Sequence, residues 1–322
     1  MDILEFSFNA VAPLFIVIFL GWFIARRGLL QEKEITFLNA LCFRYLLPIY
    51  IFSSVMTVDY SREFNFRMFA VFFSGVSLIA LASLCVASLV IRDPARRCIF
   101  IVNSYRSNNL IYALPLAANL FGDAGLKPAA MLVPFTIIIF NVYSVLIMVL
   151  YKNKINSADN HKKLSRELSG TLFEVIKNPL IIGSAAGILI ALTGLDIPFF
   201  LRKGINSIGA AASPLSLLLL GSQIDFSKLR QDIGAAAVSC IIRLVLCPLI
   251  TTPALILLGF RGPELSTLAI AFAAPCAIAT FIMSRNYQIA ARFAAQTVYL
   301  STVLSIFTIF CLISILRALK YF

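Results

Sequence analysis

The sequence predicts an all-α membrane protein of about ten transmembrane helices, on three observations. Hydrophobic residues fill 60% of the 322 positions and charged residues only 13%, where a soluble domain carries roughly a quarter charged. The apolar residues gather in runs of roughly 20, the length that crosses ~30 Å of hydrocarbon. The charged residues lie mostly in the gaps between those runs, with Lys and Arg in excess on alternate sides. That placement also disposes of nucleic acid as a partner. The net charge of +12 is spread over short loops rather than gathered into a basic face, and the lipid bilayer is the expected surrounding.

The runs lie near residues 8–25, 35–57, 68–91, 98–121, 128–151, 175–195, 203–223, 233–258, 264–285 and 291–316. The first has Asp2 and Glu5 before it and Arg26-Arg27 after it. A secretory leader has the opposite flanks, so this run reads as a span whose amino terminus is outside the cytoplasm. With that orientation, sixteen basic residues fall in cytoplasmic loops and eight on the other side. Such a bias follows the positive-inside rule and puts both termini outside the cell or plasma (inner) membrane.

The longest polar stretch, Tyr151 to Gly170, divides the chain into a first five-helix repeat (1–151), a cytoplasmic linker (152–174) and a second five-helix repeat (175–322). An odd number of spans on each side makes the two halves enter the membrane from opposite faces, as inverted repeats must. Three ordered matches support the repeat. Asn39 to Pro48 pairs with Asn206 to Pro214, Pro115 pairs with Pro275, and Asn141-Val-Tyr-Ser144 pairs with Thr302-Val-Leu-Ser305.

The chemistry is defined first by what is missing. All fifteen carboxylates sit in loops or at span ends, so no buried Asp or Glu is available for a proton relay. HExxH and GxSxG are absent too, which makes an enzyme a poor reading. The seven cysteines stand singly and the one histidine, His161, lies in the linker. Neither a metal site nor a cofactor is expected.

Three arginines, Arg44, Arg106 and Arg243, lie inside apolar runs, where a charge costs ~2.5–3.5 kcal/mol on the mild insertion scale. Each either builds an electropositive cavity or serves structure, by bonding the carbonyls of a neighbouring helix or by snorkelling, the structural role being favoured for Arg44 and Arg243. The fourth span, from Asn103 through Arg106, Asn108 and Asn109 to Pro115, is too polar for a helix facing lipid. The ninth repeats its proline within Ala273-Ala-Pro275-Cys-Ala-Ile-Ala279-Thr280. Matching prolines in corresponding spans predict two broken helices that cross, their positive half-helix ends able to hold an anion.

At these residues the chain resembles the auxin efflux carrier family, which includes the plant PIN carriers and bacterial permeases assigned to malonate or malate. The marks run through nearly the whole chain: Arg106-x-Asn108 ahead of Pro115 and Phe121-Gly122; Asn178-Pro179; Pro214-Leu-Ser-Leu-Leu-Leu-Leu-Gly221; Arg243 with Pro248; and Ala274-Pro275 followed by Phe281-Ile-Met-Ser-Arg-Asn-Tyr287. The resemblance implies the sodium/proton antiporter-like fold, with spans 1, 2, 6 and 7 as a scaffold and the others as a mobile transport domain. The substrate would sit at the boundary between them, near the crossing of spans 4 and 9. Ala113 and Ala279 depart from the Gly and the Asn or Ser usual at those positions, which leaves the ninth-span side more apolar.

The expected function is therefore secondary transport of a small organic anion by alternating access. The anion would be a mono- or dicarboxylate or an auxin-like aromatic acid. Expected contacts are Asn108, Asn109, Arg106, Pro115, Pro275, Ala279, Thr280 and Asn141. A coupling ion, sodium or proton, and a homodimeric assembly are left open. The alternative, a membrane receptor or regulatory subunit that binds an organic acid without moving it, differs by one observable, flux across a vesicle membrane. Reporter fusions should place the 152–174 linker in the cytoplasm and both termini outside; a cytoplasmic carboxy terminus would mean that a span has been miscounted.

Overall fold

The computed structural model describes residues 3–60, 64–155, 176–224 and 233–321, with the single residues 170 and 173. Most of the expected 152–174 linker, including His161, lies outside the described residues. Regular structure among the described residues is helical, apart from one isolated antiparallel bridge between Ser107 and Cys276.

In chain order the helices are α1 (Ile3–Arg26), α2 (Glu32–Val55), α3 (Phe66–Val90), α4 (Pro94–Tyr105), α5 (Asn109–Phe121) and α6 (Asp123–Ile155). They continue as α7 (Pro179–Thr193), α8 (Phe199–Ser222), α9 (Ile233–Leu257), α10 (Gly262–Ala273), α11 (Ile278–Tyr287) and α12 (Ala291–Ala318). Seven of these, α1, α2, α3, α6, α8, α9 and α12, are long and apolar enough to cross a membrane. The chain is an integral membrane protein. The expected span 98–121 is two helices, α4 and α5, and the expected span 264–285 is likewise α10 and α11. The expected span 175–195 holds the 15-residue α7, which rises only ~22 Å.

Polarity is arranged inside out relative to a soluble protein. Large apolar side chains such as Ile16, Phe19, Leu78, Leu89, Leu189 and Ile250 are exposed, while Asn103, Arg106, Asn108, Gln296 and Thr297 are buried. Hydrocarbon is the solvent that suits such a surface.

Prolines shape three helices in the same way. A five-residue π-helical turn, at Cys42–Leu46, Asn109–Ala113 and Ile242–Leu246, ends two residues before Pro48, Pro115 and Pro248. A proline has no N–H to give and its ring crowds the carbonyl four residues back. Widening the preceding turn relieves that crowding, and the residue before the proline then bonds five back: Leu47 N–H to Cys42, and Cys247 N–H to Ile242. At Pro115 the sequence predicts a break; the chain there keeps its helix through a wide turn, and the break lies upstream.

The chain folds as two compact units. The first comprises Met1–Phe66, Leu110–Phe135 and Ile176–Ile224, and the second Arg67–Asn109, Thr136–Val175 and Asp225–Phe322. Each draws on both sides of the linker.

Glycine sets the packing in the first unit. A Cβ on Gly21 of α1 would overlap the Leu218 carbonyl of α8, and one on Gly221 of α8 would overlap the Ile18 carbonyl of α1. Between α7 and α2, a Cβ on Gly183 would come within 2.6 Å of the Pro48 carbonyl oxygen. Small residues let backbones approach in this way where no hydrophobic effect drives helices together. In the second unit α3 meets α6 through the Ser77–Tyr143 hydroxyl pair at 2.8 Å and through the Phe72 and Phe140 rings. Overpacking a tight contact costs ~1–3 kcal/mol. Gly21→Ala and Gly221→Ala should therefore each lower the melting temperature in detergent, and should do so more than Gly204→Ala, which has open space around it and an ordinary helical backbone.

Candidate functional site

In the second unit the two breaks pair with each other. After α4 ends at Tyr105 the backbone turns extended at Arg106, and after α10 ends at Ala273 it does so at Ala274. Asn108 N–H donates to the Pro275 carbonyl at 2.8 Å, and Ala277 N–H donates to the Arg106 carbonyl at 3.2 Å. These two bonds frame the Ser107–Cys276 bridge.

Breaking two helices strands their last carbonyls, and the second unit supplies donors to several of those around the crossing. Ala271 would ordinarily bond residue 275, which is proline and has no N–H. Arg243 Nη2 donates to it instead at 3.1 Å. Ser104 would bond Asn108, whose N–H is turned to Pro275; Arg243 Nη1 takes that carbonyl at 3.0 Å. Arg243 Nε bonds the Ala274 carbonyl at 3.0 Å. The Cys276 thiol reaches the Asn103 carbonyl at 3.8 Å, and Cys276 N–H donates to Ser301 Oγ at 3.1 Å. Arg243 is wholly buried, which satisfies the carbonyl-bonding reading of that residue. Arg44 is exposed and adds no buried electropositive surface.

Arg106 is buried and committed elsewhere. Its Nη1 donates to the Phe140 carbonyl at 3.0 Å, to Ser144 Oγ at 2.8 Å and to Met283 Sδ at 3.3 Å; its Nη2 donates to Asn141 Oδ1 at 2.9 Å. The guanidinium therefore clamps the end of α4 to α6, and Asn141 serves as one jaw of the clamp.

What remains without partners is mostly donors. Asn108 Nδ2, Asn109 Nδ2, Arg106 Nε and Thr280 Oγ1 are buried and make no hydrogen bond, and the same holds for one acceptor, Asn103 Oδ1; Asn108 is 5% and Asn109 6% exposed. Asn109 Oδ1 already accepts from Ser107 Oγ at 2.9 Å. Asn108 lies in the break itself rather than on the first half-helix, and Asn109 opens α5. Thr280 and the half-exposed Ala279 lie in the first turn of α11, whose N-cap residue Ala277 contributes no side-chain cap. Buried charged side chains among the described residues are Arg106 and Arg243, with no carboxylate beside them. A cavity of about 390 Å³ between α3 and α9 is lined by apolar groups such as Leu78, Ile79, Phe100 and Ile250; it is no place for an anion.

The sequence profile of the membrane transport protein family matches residues 6–313. The chain belongs to that family, the auxin efflux carriers. It is 20% identical over 312 residues to an uncharacterized transporter of Methanocaldococcus jannaschii, covering 94% of this chain and 96% of that one. It is 24% identical over 301 residues to the uncharacterized transporter YfdV of Escherichia coli K12, covering 90% and 91%. Over 142 residues it is 26% identical to a Rhizobium meliloti protein named "Putative malonate transporter", covering 44% of each.

Of the residues expected at the family's site, the second unit brings Asn108 beside Pro275, sets Thr280 shortly after the bridge in α11, and turns Arg106 and Asn141 toward each other. Pro115 belongs to the first unit, buried on α5. Sequence reasoning missed Ser301 and Met283. Ser301 stands next to the matched Thr302–Ser305 motif, a usable signal, and Met283 lies within the Phe281–Tyr287 family mark, though nothing there pointed to a contact with Arg106. Removing the guanidinium leaves the buried Phe140 carbonyl and the Asn141 and Ser144 side chains short of a donor, at ~1–3 kcal/mol for each group left unpaired, so Arg106→Met should strongly lower thermal stability. Arg106→Lys should recover only part of it, because one ammonium cannot reproduce the fork. Equal melting temperatures for Arg106→Met and wild type would dissolve the clamp.

Proposed function

We propose that this auxin efflux carrier family member moves a small organic anion across the cell membrane by alternating access, the anion's carboxylate bonding Asn108 at the crossing of the broken spans. The observation that carries this reading is the excess of unpartnered donors at that crossing with no buried carboxylate among the described residues. Unpaired buried amides cost ~1–3 kcal/mol each, a penalty that a bound carboxylate relieves. Asn109 and Thr280 are the further donors, beside the uncapped α11 amino terminus, whose dipole favours negative charge. Pro275 and Pro115 shape the backbone of their own spans. Ala279 keeps its side apolar.

The ten-span, inverted-repeat architecture belongs to the same reading. Numbered as spans, α1 and α8 are the first and seventh, and α2 and α7 the second and sixth. The glycine contacts pair first with seventh and second with sixth, a reciprocity expected when spans 1 and 6, and 2 and 7, are related by a two-fold axis. The first compact unit would then serve as scaffold and the second as the moving body. Malonate is the first substrate to try, given the name of the Rhizobium relative, with monocarboxylates and aromatic acids beside it.

Proteoliposome flux decides between transport and binding alone. A charge-assisted bond contributes ~1.5–3 kcal/mol, so Asn108→Ala should weaken affinity for the transported anion roughly tenfold to a hundredfold with little change in melting temperature. Unchanged affinity in a well-folded variant would remove Asn108 from the site. Lost stability at normal affinity would assign it to holding the backbone.

A further inference from the structure

Arg243 is among the largest fully buried side chains, and each of its hydrogen bonds goes to a backbone carbonyl. Those carbonyls end two different helices: Ser104 in the last turn of α4, and Ala271 and Ala274 at the end of α10. A helix carboxy terminus carries roughly half an elementary negative charge. Two such ends meeting one guanidinium nearly balance it, without any carboxylate. We propose that Arg243 is the positioning residue of the crossing: it is the counter-charge of both half-helix carboxy termini and the tie that makes α4 and α10 move as one piece. By neutralising the negative ends, it leaves the positive end at α11 uncompensated. By fixing Ser104 and Ala274, it fixes the extended segments that carry Asn108 and Ala277.

The reach of Arg243 depends on the wide turn before Pro248. One extra residue in a turn rotates the rest of the helix by about 100°, and Arg243 sits within that turn. Arg44 occupies the same kind of turn in α2 and is exposed. The turn alone therefore does not make the site; the facing carboxy termini do.

Hydrogen exchange on the purified full-length protein tests the proposal without any substrate. In Arg243→Gln, amides of residues 103–108 and 274–278 should exchange about tenfold faster or more, with α1 and α8 unaffected. Arg243→Lys keeps the charge and loses the fork, so it should show a smaller acceleration at the same two segments. Exchange within about twofold of wild type in a folded Arg243→Gln protein, or a lysine variant no better than the glutamine one, overturns the proposal. Should Arg243→Gln fail to fold, Arg243→Lys decides: faster exchange at the two segments than in α1 and α8 upholds it, and parity overturns it. A second arm rests on the transport reading and uses malonate efflux from proteoliposomes. Arg243→Lys should raise KM for malonate more than it lowers the maximal rate, since Asn108 is held less firmly. A wild-type protein that moves no malonate counts against that substrate, and the exchange result still decides the role of Arg243.

Discussion

A backbone carbonyl shut away from water must find a donor, and this chain breaks two helices where the residues at the breaks are buried. The arrangement around the crossing is a response to that constraint. Pro275 cannot serve Ala271, and the N–H of Asn108 is drawn to Pro275 and away from Ser104. Three stranded oxygens then converge on Arg243. An isolated buried arginine would be costly; three unbonded carbonyls at ~1–3 kcal/mol each would be costly as well. Each solves the other's problem, and a cation with five donors in a fixed fork suits three separated oxygens better than an ammonium does.

The solution is lopsided, and the lopsidedness matters for chemistry. Five backbone acceptors at the breaks, on Asn103, Ser104, Arg106, Ala271 and Ala274, are matched by Arg243, Ala277 N–H and the Cys276 thiol, while Asn103 Oδ1 stays unpaired. Donors are not: the amides of Asn108 and Asn109 stay unpaired, and the α11 amino terminus has no side-chain cap. A region with surplus donors and no carboxylate favours an anion before any question of which anion is asked. Arg106 adds positive potential, with its two terminal nitrogens held by Phe140, Asn141, Ser144 and Met283 and its Nε unpartnered.

The sequence made the helical class legible because composition and run length depend only on the solvent. It also exposed the crossing, since Asn103, Arg106, Asn108 and Asn109 are too polar to face lipid and must meet protein. The exact break was not legible. Pro115 and Pro275 look alike in the sequence, yet Pro275 stands in its break while Pro115 comes two turns after its own. A proline demands only that one carbonyl be relieved, and a wide turn does that without ending the helix, as before Pro48 and Pro248. Arg44 and Arg243 were equally ambiguous. Their local sequences share a proline about one turn on, and only the tertiary neighbours make one buried and the other exposed. The contact between Asn141 and Arg106 was hidden for the same reason: an amide in the middle of an unbroken helix gives no hint that it faces Arg106.

If an anion is carried here, neutral donors suit the task better than a free cation would. A carboxylate locked to a buried, unshared guanidinium would leave behind an uncompensated charge each time it departed, at several kcal/mol. Release would then be slow at whichever side of the membrane it occurred. Arg243 and Arg106 avoid this because their partners are permanent parts of the fold, present whether or not a ligand is bound. Their charges shape the potential, and the bonds that form and break are those of amides, a hydroxyl and a helix terminus. Such bonds are worth a kcal/mol or a few each, enough to choose a carboxylate and weak enough to let it go. The buried cations are therefore better read as fixed parts of the frame than as ligands, and the selectivity they support is delivered through groups that carry no net charge.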